Sequence, residues 1–270
     1  EPRSWLFVLA DSEKKIGKAI GSEADAVIFD LEDSVSLGQK AAARQILKDL
    51  GKRSGGPQWW VRINPLRTDE HRKDLDVLGL SDLQGIVLPK AESGADVTEL
   101  AHRTGNIPIH AIVTETAASL FGLLSYRDPK SPLVAMSWGA EDLSAALGAS
   151  SKYSAGGDLA FTYKLARSLC LAGAVAAGVQ PVDGIFADFK DEAGLRAETA
   201  AEHRIARGMD GVGRKQRGIE IGPEPGDEEH HLRGDEQDHA VAEMELNDRG
   251  VIAALRFAHN VHPPCEHGVD

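Results

Sequence analysis

The chain is expected to fold as a (β/α)8 TIM-type barrel, because strand and helix patterns alternate along it, the strands are apolar on both faces, and almost every strand ends in a charge. Seven short runs rich in Val, Ile, Leu and Trp fall at residues 5–9, 26–29, 59–63, 85–88, 108–113, 133–137 and 184–187. Uninterrupted apolar strands belong to a parallel sheet covered on both sides, and parallel neighbours need the crossover that right-handed βαβ units supply. The length of 270 residues suits such a barrel, which typically takes about 250. An open doubly wound sheet is the competing architecture. Its dinucleotide-binding form is disfavoured because no glycine-rich phosphate loop follows the first strand.

In chain order, strand 5–9 leads into a helical pattern over 12–20, strand 26–29 into one over 39–50, and strand 59–63 into one over 69–78. Strand 85–88 precedes a helix over 93–102; strands 108–113 and 133–137 precede a long one over 157–177; strand 184–187 precedes one over 192–207. In each, apolar residues recur at spacings of three and four, the signature of an amphipathic helix. From 208 onward the pattern stops. Residues 208–270 hold 14 Asp and Glu against 6 Lys and Arg, with many Gly and Pro and six of the ten His. The chain therefore divides into a barrel domain, 1–207, and an acidic Gly/Pro/His-rich tail, 208–270, expected to be poorly ordered. No eighth strand is legible, so two sheet edges need cover from the tail or from a partner subunit.

Composition excludes several functions. A net charge of −12 without any basic stripe argues against nucleic acid as a partner. Cys170 and Cys265 are too far apart in sequence for a zinc spacing and too few for a disulfide framework, which suits a reducing cytoplasm. No apolar run approaches the roughly 20 residues needed to cross a bilayer, and the opening EPRSWLFVLAD lacks a signal-peptide layout, so no membrane is expected. Cys170, on an apolar helix, reads as a small buried residue rather than a nucleophile. His230, His231 and His239 read as part of a solvated run rather than a metal site.

The informative charges are those at strand ends: Asp30 and Glu32, Arg62, Lys90, Glu115, Glu141 with Asp142, and Asp188. In a (β/α) barrel these ends surround one mouth, so the charges should converge. Glu115 and Asp142 each follow a strand, and two such carboxylates brought together resist ionising unless a cation sits between them. Mg²⁺ meets that need with two protein carboxylates, leaving positions for a bidentate 2-keto or 2-hydroxy acid. Arg62 can pair bidentately with a substrate carboxylate, or alternatively with Asp30 or Glu32.

The segments RSWLFV, DAVIFDLEDSV, WWVRINPL, GIVLPKAES, TETAASLFGL and SWGAEDL, in this order and spacing, resemble the citrate lyase β-subunit/malyl-CoA lyase family. The resemblance runs from about Arg3 to about Arg207. It implies a barrel enzyme, commonly trimeric, that makes or breaks a bond between an acetyl-thioester and a keto acid. It also implies that Glu115 and Asp142 hold Mg²⁺, that Arg62 contacts the substrate, and that Asp30 and Glu32 orient Arg62 and water. Lys90 and Arg3 join Arg62 as candidates for holding the anionic substrate. The function implied is cleavage of a short 3-hydroxyacyl-CoA, citramalyl-CoA or malyl-CoA, to acetyl-CoA and a keto acid by a cytoplasmic homotrimer. Citryl-thioester cleavage, thioester hydrolysis and non-catalytic thioester binding are the alternatives. Such a retro-Claisen step needs a hydroxyl proton removed, a carbonyl oxygen polarised and an enolate stabilised. Asp30, Glu32 and Asp33 are all candidates for the proton transfer, with no choice among them. The chain departs from the family after Arg207, where the segment G-[FW]-x-G-K-x-x-I-H-P-x-Q, and with it the loop that grips CoA, is not legible.

Overall fold

The computed structural model describes residues 2–52, 55–79, 82–128, 130–186, 191, 193–197 and 199, together with the strand Val251–Arg256. The elements are β1 (Ser4–Leu9), α1 (Glu13–Ile20), β2 (Ala26–Asp30), α2 (Lys40–Lys48), β3 (Gln58–Arg62), α3 (Asp69–Asp74), β4 (Leu83–Leu88), α4 (Gly94–Thr104) and β5 (Ile109–Ile112). They continue with α5 (Ser119–Gly122), β6 (Leu133–Ser137), α6 (Ala140–Ala146), α7 (Phe161–Ala177), β7 (Gln180–Phe186) and β8 (Val251–Arg256).

Strands β1 to β7 pair in parallel in chain order. β8 lies antiparallel between β7 and β1, with Phe7 opposite Ile252 and Phe186 opposite Ala253, and closes the barrel. The expected TIM-type barrel is thus present, with a correction at its seam. The closing strand comes from the stretch set apart as tail, and it runs against the other seven. VIAALR is one apolar run in a stretch rich in acids, Gly and Pro, too short and isolated to signal a strand. Either direction satisfies the open N–H and C=O groups of two edges. The rest of the tail, most of the expected helix 192–207, and Asp188 lie outside the described residues.

The period-two alternation of the strands separates two apolar layers. Trp5, Phe7, Ala26, Ile28, Trp60, Val87, Ile112, Ala135 and Val182 fill the barrel interior. Their neighbours Leu6, Val8, Val27, Phe29, Trp59, Val61, Ile86 and Leu88 face outward and pack with Ile16, Leu47, Val97, Leu100 and Ala174 of the helices. Local signals reinforce the layout. Ser12 caps α1 through the Lys15 amide, Ser93 and Asp96 form a capping box on α4, and Gly178 ends α7 in the left-handed region at φ 71°, where glycine carries no side-chain penalty.

β7 begins at Gln180, four residues before the sequence pattern suggests. Pro181 and Asp183 resemble a turn, but a proline near a strand start removes only one ladder donor. Asp183 is satisfied inside the fold by Trp138 Nε1 at 2.7 Å and Arg167 Nε at 2.9 Å. The short helices α5 and α6 were not legible; both follow strand ends that line the mouth, and α6 carries Asp142 in its first turn. Among the described residues no helix is long and apolar enough to cross a membrane.

Candidate active site at the barrel mouth

The parallel register of β2 and β3 sets Asp30 directly opposite Arg62. Arg62 Nε donates to Asp30 Oδ1 and Nη2 to Oδ2, both at 2.7 Å, and the guanidinium lies 5.0 Å from the centroid of the Phe7 ring. Burial alone would raise the Asp30 pKa, but the Arg62 charge and hydrogen bonds from Arg62, Ser34 and the Glu32 amide hold it below the usual range. For Arg62, burial opposes the charge and Asp30 and Glu32 outweigh it, so the guanidinium is pushed up and stays cationic. Asp30 is therefore fully occupied with orienting Arg62.

Glu32, just past β2, is divided between two cations. Its Oε1 accepts from Lys90 Nζ at 2.5 Å, while Oε2 lies 3.2 Å from Arg62 Nη1 without a hydrogen bond and meets no donor among the described residues. Burial outweighs the pull of Arg62 and Lys90, and the carboxyl holds its proton to higher pH than an ordinary glutamate.

Lys90 stands two residues beyond β4 in the left-handed region, φ 52°, a conformation that costs a non-glycine residue roughly 1–2 kcal/mol. Its amide donates to Glu115 Oε2 at 2.5 Å. Its ammonium reaches Asp33 Oδ2 at 3.0 Å and Asp142 Oδ1 at 3.2 Å as well as Glu32. Burial opposes the Lys90 charge, but Glu32 above all, with Asp33 and Glu115, raises its pKa.

Glu115 follows β5 and is only 3% exposed. Burial first, then Glu32 and Asp142, push its pKa well above the usual value despite the Lys90 amide. Its side chain packs against Gly139: a Cβ there would lie 2.6 Å from Glu115 Cγ, closer than atoms can approach. Asp142, in the first turn of α6, completes the mouth.

The structure thus brings together Asp30, Glu32, Arg62, Lys90, Glu115 and Asp142, with Asp33 at the rim. It does not bring in Arg3. That residue precedes β1, at the opposite end of the barrel from the mouth, and its amide and side chain pair with Asp25 at 2.7 and 3.4 Å. Strand direction alone sets Arg3 apart from the other candidates. Glu141 also turns away, toward Lys152.

Three contributors were missed. Phe7 looks like any core aromatic, and Gly139 like any loop glycine. Lys40 falls on a helix that reads as half-solvated, yet its buried ammonium holds the carbonyls of Leu31 and Glu32 at 2.8 and 3.0 Å and Asn64 Oδ1 at 2.8 Å. Asn64, in the VRINPL segment, was the available clue.

Five carboxylates at this mouth face two cations, and among the described residues there the buried side-chain atom left without a hydrogen bond is an oxygen, Glu32 Oε2. The unmet Glu32 Oε2 and the raised Glu115 pKa are what an oxygen-rich cation site shows without its cation's charge. Among the described residues no three His, Cys, Asp or Glu side chains are already grouped to hold a metal ion. A two-carboxylate site suits an ion that keeps several non-protein ligands, such as Mg²⁺.

Several known proteins are similar to this chain. A citrate lyase subunit beta-like protein of Mycobacterium tuberculosis is 38% identical over 206 residues, covering 76% of this chain and 71% of that protein. A (3S)-malyl-CoA thioesterase of Cereibacter sphaeroides is 34% identical over 215 residues, covering 77% and 71%. The solved structure of CitE from M. tuberculosis in complex with magnesium, acetoacetate and coenzyme A superposes with a TM-score of 0.65 at 32% identity, covering 81% of this chain and 89% of that one. The family described as HpcH/HpaI aldolase/citrate lyase matches residues 3–213. With the barrel, the order of its strand-end charges and this match in agreement, the chain belongs to the HpcH/HpaI aldolase/citrate lyase family.

Proposed function

We propose that the chain is a Mg²⁺-dependent carbon–carbon lyase that cleaves a short 3-hydroxyacyl-CoA of malyl or citramalyl type to acetyl-CoA and a keto acid. The observation that carries this reading is the mouth itself: buried Glu115 beside Asp142 and Glu32, with Arg62 aimed at the same space by Asp30. Glu115 and Asp142 would hold the ion. When bound, Mg²⁺ supplies Lewis-acid polarisation of the substrate's hydroxyl and carbonyl oxygens.

The chain's own groups supply the rest. Arg62 spends Nε and Nη2 on Asp30 and keeps Nη1 for an anionic oxygen of the substrate, neutralising charge as it develops. Glu32 sits beside that nitrogen with a free oxygen and a raised pKa, which suits it to take and return a proton. Asp30 stays ionised and acts as a positioning residue. A homotrimer in the cytoplasm is the assembly the family resemblance implies.

Thioester hydrolysis is the second reading, favoured by the relative named (3S)-malyl-CoA thioesterase. The test is to incubate the protein and Mg²⁺ with malyl-, citramalyl- and citryl-CoA in turn, following keto acid and free thiol separately. Keto acid without thiol supports the lyase, and thiol without keto acid supports the hydrolase. CoA binding with no turnover of any thioester removes both. Glu115→Ala and Asp142→Ala should each abolish Mg²⁺-dependent turnover, and full activity in both variants would overturn the metal assignment.

A further inference from the structure

One residue touches both carboxylates assigned to the metal. The Lys90 amide donates to Glu115 Oε2 at 2.5 Å, and the Lys90 ammonium lies 3.2 Å from Asp142 Oδ1. The main chain achieves this by adopting φ 52° at a lysine, without the freedom of a glycine. Non-glycine residues held in the left-handed region cluster at functional sites, where surrounding contacts over-determine them. Here those contacts are the carboxylates of Glu32, Asp33, Glu115 and Asp142.

We propose that Lys90 is an internal cation that competes with the divalent metal for Asp142, so that its side chain sets the metal affinity of the site while its main chain positions Glu115. The inference rests on the metal reading above. The two halves of the residue have opposite consequences. The amide stabilises the ionised form of Glu115 and leaves its second oxygen for a cation. The ammonium is already paired with Asp142, and a metal ion arriving there must displace it or be repelled by it. Glu32 Oε1 at 2.5 Å and Asp33 Oδ2 at 3.0 Å give the displaced ammonium a place to stay. Ligand exchange at Asp142 then requires only that one of three ion pairs open, and no bond is made or broken.

Because the amide survives any non-proline substitution, the two halves separate experimentally. Titrating the full chain with MgCl₂ by isothermal calorimetry, Lys90→Met should bind Mg²⁺ about tenfold more tightly than wild type, the scale on which a neighbouring charge shifts a carboxylate's affinity. Lys90→Arg, which keeps the charge, should stay near wild type. If the lysine served only to hold the loop, Lys90→Met would bind Mg²⁺ more weakly and Lys90→Arg would fail to restore wild-type affinity. Weaker or unchanged binding by Lys90→Met overturns the proposal.

A second measurement needs no variant to fold. The ammonium ¹⁵N resonance of Lys90 in the wild-type chain should move as Mg²⁺ is added, and a resonance that stays fixed while Mg²⁺ binds overturns the proposal. Should wild type itself bind no Mg²⁺ in calorimetry, the metal reading falls and this inference with it. Binding by wild type with no tightening in Lys90→Met rejects this inference alone.

Discussion

Two buried titratable residues give the molecule opposite responses to pH. Glu115 has its pKa raised well above the ordinary value, chiefly by burial. The folded chain thus keeps a proton that the unfolded chain has released, so the stability it contributes is present at low pH and lost as pH rises through the folded-state value. Glu115→Gln should remove that loss. At pH 8 without metal the variant is expected to melt a few degrees higher than wild type, while losing the stabilisation that Mg²⁺ confers. Differential scanning calorimetry with and without MgCl₂ checks both, and Mg²⁺ stabilisation undiminished in the variant would remove Glu115 from the metal site.

His110 behaves the other way. It sits in the barrel interior, edge-on to Trp5 at 5.0 Å, with neither ring nitrogen hydrogen-bonded, and burial lowers its pKa from 6.5 to about 3. The unfolded chain protonates first, so stability is complete above pH 6.5 and falls as pH drops toward 3. The slope from one such group is at most about 1.4 kcal/mol per pH unit. Replacing it with Leu is expected to flatten the pH 5 to 7 part of the stability curve, measured by urea unfolding. A slope identical to wild type would show that His110 is not the group responsible.

At the scale of elements, the site is made by strand ends and the first residues beyond them. This is why much of it was legible. Asp30, Arg62, Lys90, Glu115 and Asp142 all lie at or shortly beyond the C-terminal ends of their strands, and parallel strands carry those ends to the same mouth of a barrel. Arg3 shows the limit of that logic: it belongs to a recognisable segment but precedes its strand, so the same geometry sends it to the other end. Gly139 shows another limit. Its importance lies in an absent side chain, because only a bare α-carbon lets the loop after β6 close on Glu115. Gly139→Ala should displace the Glu115 carboxylate and weaken Mg²⁺ binding roughly 10–100-fold, the cost seen when the support of a metal ligand is lost. Calorimetric titration against a circular-dichroism control for folding measures this, and wild-type affinity in a folded Gly139→Ala chain would contradict the contact.

At the scale of the whole molecule, closure is the decisive event. Seven parallel strands leave β1 and β7 with open edges, and β8 pairs with both. A chain ending at residue 207 is expected to expose those edges and to associate or aggregate, as read by size-exclusion chromatography and light scattering. A soluble monomer of the shortened chain would show that β8 is dispensable.

The sequence by itself determined the alternation of strands and helices, the parallel sheet, and the identity of most charges at the mouth, because these follow from local periodicity and strand phase. Only the tertiary structure decided which charges meet. Asp30 is committed to Arg62 by the register of two strands, and Lys90 links Glu115 to Asp142 through one left-handed residue. The barrel is sealed by a strand running against the rest. Each depends on residues far apart in the chain approaching within a few ångströms, and no local pattern encodes that.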